Sequence, residues 1–439
     1  HKISSSTSSD TEIILDYYKL YGVNCLKYFE GMWSFAIYDK TENSLFISRD
    51  RFGEKPLYIS HDGLNFYFGS EIKFIKSLKD KNFQINYDLV KSFLMNGYKT
   101  IFKKKETFFN DIMRVENATA IILKEGKIKR IYKYWQPKYK ENLKFTPNDA
   151  IELCREKIIN SVKLRLRSDA PIAFCLSGGV DSSSLVSVAS KVLNYKVKTF
   201  SIIDEDPRYN ETENIKKVVS DLNCEFELIN LKDIDFFEKL KNLVNYHDGP
   251  ISTISYLIHS LISEVTSNQG FKVIVSGTGA DELFTGYYDH YLYQLNEIKG
   301  TQYFEKNLKD WKKFILKNIR NQKLRDYDSF LKTNPPKNHI FDTPQDKSIF
   351  IDSKNKEFYE YDFCSNHLKN RMLNELFYEV TPVILNEDDL NSMMNSMENR
   401  SPFLDTKLFD FAYSVPVHLH IKNGYNKYLL RESMKNILN

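Results

Sequence analysis

The sequence predicts an α/β protein in two parts: a β-rich segment with a few helices, then a doubly wound parallel-sheet domain with helical additions. Two observations carry that expectation. Up to about Pro137, short β-like runs alternate with turn signals. Beyond it, short continuous apolar runs alternate with amphipathic helical stretches, the pattern of a parallel sheet covered on both faces.

The stretch TEIILDYYKLYG opens the first part as a helix, which Ser9 or Asp10 can cap and Gly22 can close. WSFAIYD, SLFISRD, PLYIS, LNFYFGS and ATAIILKEGKIKRIYKYW read as strands. QPKYKENLKFTPND is polar, holds two prolines and lacks periodicity, so it reads as a linker. The boundary is placed near residue 140, giving domains 1–138 and 139–439. In the second domain AIELCREKIINSVKLRLRS is helical, PIAFCLS a strand, SSLVSVASKVL a helix and VKTFSII a strand. A further helix ends at Leu222, and EFELINL and KVIVSG are strands. From about Gly286 the strand signals fade and aromatic-rich helices take over.

Composition excludes several classes. A chain of 439 residues can bury two or three cores. Its 62 basic and 58 acidic residues leave a net charge of +4, too small to argue for nucleic acid, so any anion site is local. No apolar run approaches the roughly 18 residues of a membrane span, which favours a cytoplasmic protein. The five cysteines are scattered without metal spacing, as reduced, buried thiols would be. The opening HKISSSTSSD has no Met, basic region or apolar region, so it is not a secretory signal, and the chain is expected to begin partway through a gene product.

Chemistry concentrates in two loops. In FCLSGGVDSSSL, Ser177, Gly178 and Gly179 follow a strand and precede a helix, so backbone N–H groups and the helix dipole favour an anion. Ser182 and Ser183 can add hydroxyl donors or cap the helix. No Lys follows in Walker spacing, which disfavours the usual NTPase grip on a γ-phosphate. Asp181 would repel phosphate unless a divalent cation lay between them, so the loop implies phosphate with Mg²⁺. VIVSGTGADELFTGYYDHY repeats the logic: Ser276, Gly277 and Gly279 end a strand, and Asp281 and Glu282 follow. Acidic residues at a helix start are also routine stabilisers, so the second loop gains weight from the first.

These residues resemble the asparagine synthetase family. SDAPIAFCLSGGVDSSSL is similar to its pyrophosphate-loop signature and SGTGADELFTGY to its second; DLNSMMNSMENRSPFLD and KYLLRESM are similar to the third and fourth. SSDTEIILDYYKLYG, YFEGMWSFAIYD, SRDRFGEKPLYIS and FGSEIK resemble the later part of its N-terminal-nucleophile glutaminase domain. The resemblance implies an αββα glutaminase domain, incomplete here, followed by a pyrophosphate-loop synthetase domain of the adenine nucleotide α-hydrolase type. It implies a ligase that uses ATP and Mg²⁺, adenylates an acceptor carboxylate, L-aspartate in the family, and displaces AMP with ammonia from glutamine. Carried over, Leu176, Ser177, Gly178, Gly179, Val180, Asp181, Ser182 and Ser183 would cradle pyrophosphate, and Ser201, Ile202, Ser276 and Gly277 would meet the nucleotide. Asp181 and Asp281 would bind Mg²⁺, Lys427 would neutralise the departing pyrophosphate, and Asp10 would take the glutamine α-amino group. Glu398 and Arg400 are expected to form a buried structural pair. Partners are small molecules, with no nucleic acid and no membrane span; a homodimer is left open.

Two departures matter. Residues 1 to 20 hold no cysteine nucleophile, so either an upstream segment supplies it or the enzyme takes free ammonia; as it stands, the polypeptide is not expected to hydrolyse glutamine. Thr278 stands where the family usually has a glutamate base, leaving Glu282 or a different arrangement to accept the proton. Amidation of a uronic-acid sugar for bacterial surface polysaccharide, or β-lactam synthetase-like ring closure, therefore stays open. A tRNA- or nucleotide-modifying ligase is disfavoured by the third signature, and an inactive scaffold by the presence of Asp181, Asp281 and Lys427.

Overall fold

The computed structural model describes residues 7, 9–79, 83–142, 144–203, 206, 210–232, 234–341 and 358–438. The chain divides into two compact units, His1–Asn86 with Lys105–Pro137, and Tyr87–Lys104 with Lys138–Asn439. Sequence placed all of 1–138 in the first domain; Tyr87–Lys104 groups instead with the second unit. Lys103 gives a reason, since its buried ammonium pairs with the buried Glu379 carboxylate at 2.6 Å.

In the first unit, strands β1 (Ser34–Asp39), β2 (Ser44–Arg49), β6 (Thr119–Lys124) and β7 (Lys127–Lys133) form an antiparallel sheet in the order β1-β2-β6-β7. Strands β3 (Tyr58–His61), β4 (Phe66–Gly69) and β5 (Met113–Arg114) form a second antiparallel sheet, ordered β4-β3-β5. Ile47, Ile121 and Leu123 of the first sheet pack with Ile59 of the second in one buried core. On the far face of the larger sheet, Ile37, Phe46 and Ala120 pack against Ile14, Tyr17 and Tyr18 of the helix Asp10–Tyr21. Ile72 and Ile75 of the helix Ile72–Lys79 cover Tyr58 on the smaller sheet. The layers are thus helix, sheet, sheet, helix, the αββα order. Ser9 caps the first helix by accepting the Thr11 N–H, leaving Asp10 in its exposed first turn.

In the second unit, β8 (Ile172–Cys175), β9 (Lys198–Ile203), β10 (Glu225–Asn230), β11 (Val273–Val275) and β12 (Glu398–Arg400) form a wholly parallel sheet, ordered β10-β9-β8-β11-β12. The chain builds outward from β8 through β9 to β10, then returns to lay β11 on the opposite side. The strand order therefore reverses between β8 and β11, where a crevice opens at the carboxyl ends of such sheets. Helix Ile254–Asn268 contributes Ile262 and Val265 to the core formed by Ala173, Phe200, Ile229 and Ile274.

Two sequence expectations change. Pro147, counted with the linker, starts the helix Pro147–Arg165, with Thr146 and Asp149 forming a reciprocal capping box. Glu398 and Arg400 lie on β12 at the sheet edge, half-buried rather than buried; Arg400 Nε does meet Glu398 Oε1 at 2.7 Å, and its Nη1 donates to the carbonyls of Arg165 and Arg167. A three-residue polar strand carries no apolar run to betray it. Among the described residues no helix is long and apolar enough to cross a membrane.

Candidate active site

The loop after β8 is shaped by its own hydroxyls. The Ser177 N–H donates to Ser182 Oγ at 3.1 Å, and the Gly179 N–H to Ser177 Oγ at 3.3 Å. Ser182 thus braces the loop instead of capping the helix Val180–Ser187, and these two N–H groups bond within the loop instead of converging on one outside point. Gly178 holds φ at +78°, and a Cβ there would lie 2.9 Å from Asn214 Cβ and 3.2 Å from the Ile215 nitrogen. Any other residue would meet both strain and a neighbouring helix.

The loop after β11 is held from afar. Ser276 N–H donates to the Arg400 carbonyl of β12, the Tyr413 hydroxyl to the Glu282 carbonyl, and Asn426 Nδ2 to the Gly286 carbonyl. Gly286 has a steric role that its sequence did not announce: a Cβ there would sit 1.5 Å from Asp281 Oδ1, so the missing side chain is the space that carboxylate occupies.

Lys427 joins the two loops. Its Nζ lies 2.5 Å from Asp181 Oδ2 and 2.6 Å from Asp281 Oδ1. It precedes the helix Tyr428–Ser433 in a left-handed conformation, φ +51°. Burial works to lower its pKa, but the two carboxylates prevail and raise it, so the side chain is an ammonium. Burial pushes the Asp181 carboxyl up against the pull of Lys427, with Asp281 adding to the rise. Asp181 Oδ1 is buried and has no hydrogen-bond partner among the described residues. An orphaned carboxylate oxygen beside a second carboxylate is a donor set that fits a divalent cation. By contrast, the buried trio Asp289, His290 and Glu375 already has its cation, because Arg371 Nε lies 3.0 Å from Glu375 Oε1 and 3.4 Å from Asp289 Oδ2.

A cavity of about 560 Å³ opens over both loops. Leu176, Ser177, Asp181, Ser182, Ser201 and Ile202 line it from β8, its loop and helix, and β9; Ser276, Gly277, Thr278, Asp281 and Glu282 line it from the second loop. Gly178, Gly179, Val180 and Ser183 complete the first loop and helix start without lining the cavity, and Asp10 belongs to the first unit. Thr278 Oγ1 and Ser276 Oγ are 3.1 Å apart. Glu282 is almost fully buried, and its pKa is pushed up to about 7, chiefly by burial and then by Asp281; the Tyr287 hydroxyl donates to it at 2.6 Å. Sequence reasoning missed His259 and Asp388, which also line the cavity, because they lie on helices outside any signature.

The chain matches the family model described as "Asparagine synthase" over residues 153–439 and that of a "Glutamine amidotransferase domain" over residues 1–135. It is 35% identical over 294 residues to a provisionally named asparagine synthetase [glutamine-hydrolyzing] 2 of Methanocaldococcus jannaschii, covering 66% of this chain and 56% of that one. It is 27% identical over 455 residues to asparagine synthetase [glutamine-hydrolyzing] 1 of Bacillus subtilis, covering 99% of this chain and 69% of the relative. Amidase chyE of Penicillium rubens is 23% identical over 491 residues, covering 98% and 70%. The chain thus spans little more than half the length of the first of these relatives. With more than half of its residues matched by the synthase model, the two signature loops meeting at one lysine belong to a member of the asparagine synthase family.

Proposed function

We propose that the chain is an ATP-dependent carbon–nitrogen ligase of the asparagine synthetase type, forming AMP and an amide. The observation that carries this reading is Lys427 bridging Asp181 and Asp281, one from each loop, at the point where the strand order reverses. In this reading residues 1–138 are the glutaminase part, with Asp10 toward the glutamine α-amino group, and 139–439 the synthetase part. Leu176 to Ser183 hold the pyrophosphate portion of ATP, and Ser201, Ile202, Ser276 and Gly277 lie along the nucleotide.

The acceptor carboxylate attacks the α-phosphorus, the bond to pyrophosphate breaks, and Lys427 offsets the charge on the leaving group. Ammonia then attacks the acyl carbon, AMP leaves, and the ammonia nitrogen gives up a proton. Asp181 and Asp281 would hold Mg²⁺, which supplies charge neutralisation at the phosphates. Glu282, buried at the cavity wall under the Tyr287 hydroxyl, is the proton acceptor we assign where Thr278 cannot serve. L-Aspartate is the acceptor proposed.

The test mixes the protein with ATP, Mg²⁺, ammonium and L-aspartate and follows AMP against ADP, with D-glucuronate as a second acceptor. Ammonium makes the outcome independent of glutamine hydrolysis. Acceptor-dependent AMP supports the reading; ADP would overturn adenylation.

A further inference from the structure

Five carboxylates line the cavity, from Asp181, Glu211, Asp281, Glu282 and Asp388, and among the described lining residues there is no lysine or arginine. Lys427 reaches this region but is already paired with Asp181 and Asp281. An anionic acceptor entering so acidic a space needs a cation of its own, and among the described lining residues His259 is the one that can be cationic besides acting as a neutral donor. His259 stands on the helix Ile254–Asn268, and its Nδ1 lies 3.1 Å from Asp388 Oδ1 on the helix Thr381–Met394. With Nδ1 turned to the carboxylate, the ring orientation is fixed and Nε2 is the nitrogen left for a ligand. The side chain keeps 45% of its surface exposed, whereas Asp388 keeps 12%, so the carboxylate is the support and the ring the contact surface. A second histidine beside the same helix behaves differently: His247 is buried, with Nδ1 3.0 Å from Glu387 and Nε2 3.1 Å from Asn391, and is thereby closed to ligands.

Glu387 and Asp388, from Thr381–Met394, are the charged groups acting on His259, and the Tyr256 ring meets it edge-on from its own helix. Burial works against a charged ring, but Asp388 prevails and the imidazole pKa is raised.

We propose that His259, positioned by Asp388, is a specificity-determining residue for the acceptor, whose Nε2–H binds a second carboxylate, distinct from the one that is activated. Its effect is to favour L-aspartate over a uronic acid, whose one carboxylate is consumed in the reaction. This inference rests on the adenylation reading above.

The experiment measures AMP formation by the whole chain with ATP, Mg²⁺ and ammonium, using L-aspartate and D-glucuronate as probes. His259→Ala should raise KM for L-aspartate roughly 10-fold or more, the loss expected for a hydrogen bond to a charged group. KM for ATP should stay within about twofold, a split that general unfolding would not give. His259→Arg should recover part of the loss by restoring a cation, and Asp388→Asn should shift KM in the same direction as His259→Ala but less. An unchanged KM for L-aspartate in His259→Ala, a parallel rise in KM for ATP, or AMP from the wild type with D-glucuronate alone would each overturn the assignment. No AMP with either acceptor would overturn the adenylation reading itself, and the acceptor assignment with it.

Discussion

The loops after β8 and β11 share one sequence logic, an apolar strand ending in serine and glycine with an aspartate close behind, yet they are held in opposite ways. The first is braced locally, Ser177 to Ser182 and Gly179 to Ser177. The second depends on partners more than a hundred residues distant, including Arg400, Tyr413 and Asn426. Local bracing lets a short motif fix its own conformation. Distant bracing ties the second loop, and with it Asp281 and Glu282, to β12 and the carboxyl-terminal segment. Lys427, from that same segment, closes the arrangement across both loops.

The largest effect should come from breaking both loops at once. Lys427→Ala removes the ammonium shared by Asp181 and Asp281 and should lower ammonium-dependent AMP formation roughly 10²–10³-fold. Initial rates at saturating L-aspartate would check it, and a rate within a few-fold of wild type would deny Lys427 a part in the chemistry. Asp181→Asn and Asp281→Asn sharpen the comparison. Each should weaken Mg²⁺ binding at the proposed site, and Asp181, the more buried carboxylate with an unpartnered oxygen, should cost more, about 10²-fold. Mg²⁺ titrations of both variants would show it as a higher half-saturating concentration, and equal behaviour would argue that the two carboxylates are interchangeable.

Gly286→Ala probes the second loop alone. Its Cβ would fall on Asp281 Oδ1, so the carboxylate must leave Lys427, and activity should drop about tenfold or more while the first loop is untouched. A crystal structure of the variant with Asp281 still on Lys427 would contradict this. Ser182→Ala probes the local bracing. It leaves the Ser177 N–H without its hydroxyl partner and should cost about 1 kcal/mol in urea unfolding, the usual worth of such a bond. Unchanged stability would mean that the Ser182 hydroxyl does not hold the loop.

The comparison also explains what was legible in the sequence. The first loop, its strand and its helix were readable because every brace lies within a dozen residues and the periodicity switches cleanly from strand to helix. The parallel sheet was readable from its apolar runs, except for β12, whose residues Glu398, Asn399 and Arg400 are polar because they form a short edge strand. Gly286 was hidden because its role is to lack a Cβ beside Asp281, which no local pattern encodes. His259 and Asp388 were hidden because 129 residues separate them in sequence and two helices bring them together. Pro147 misled because a proline at a helix start looks, in isolation, like a linker proline.

The central claim is that the two loops and Lys427 serve attack of a carboxylate oxygen on the α-phosphorus of ATP. The most direct measurement gives the protein L-aspartate labelled with heavy oxygen in its side-chain carboxylate, together with ATP, Mg²⁺ and ammonium, and weighs the AMP by mass spectrometry. The account predicts that one labelled oxygen passes from the carboxylate to the phosphate of AMP. Label-free AMP, or label appearing in inorganic phosphate beside ADP, would contradict it.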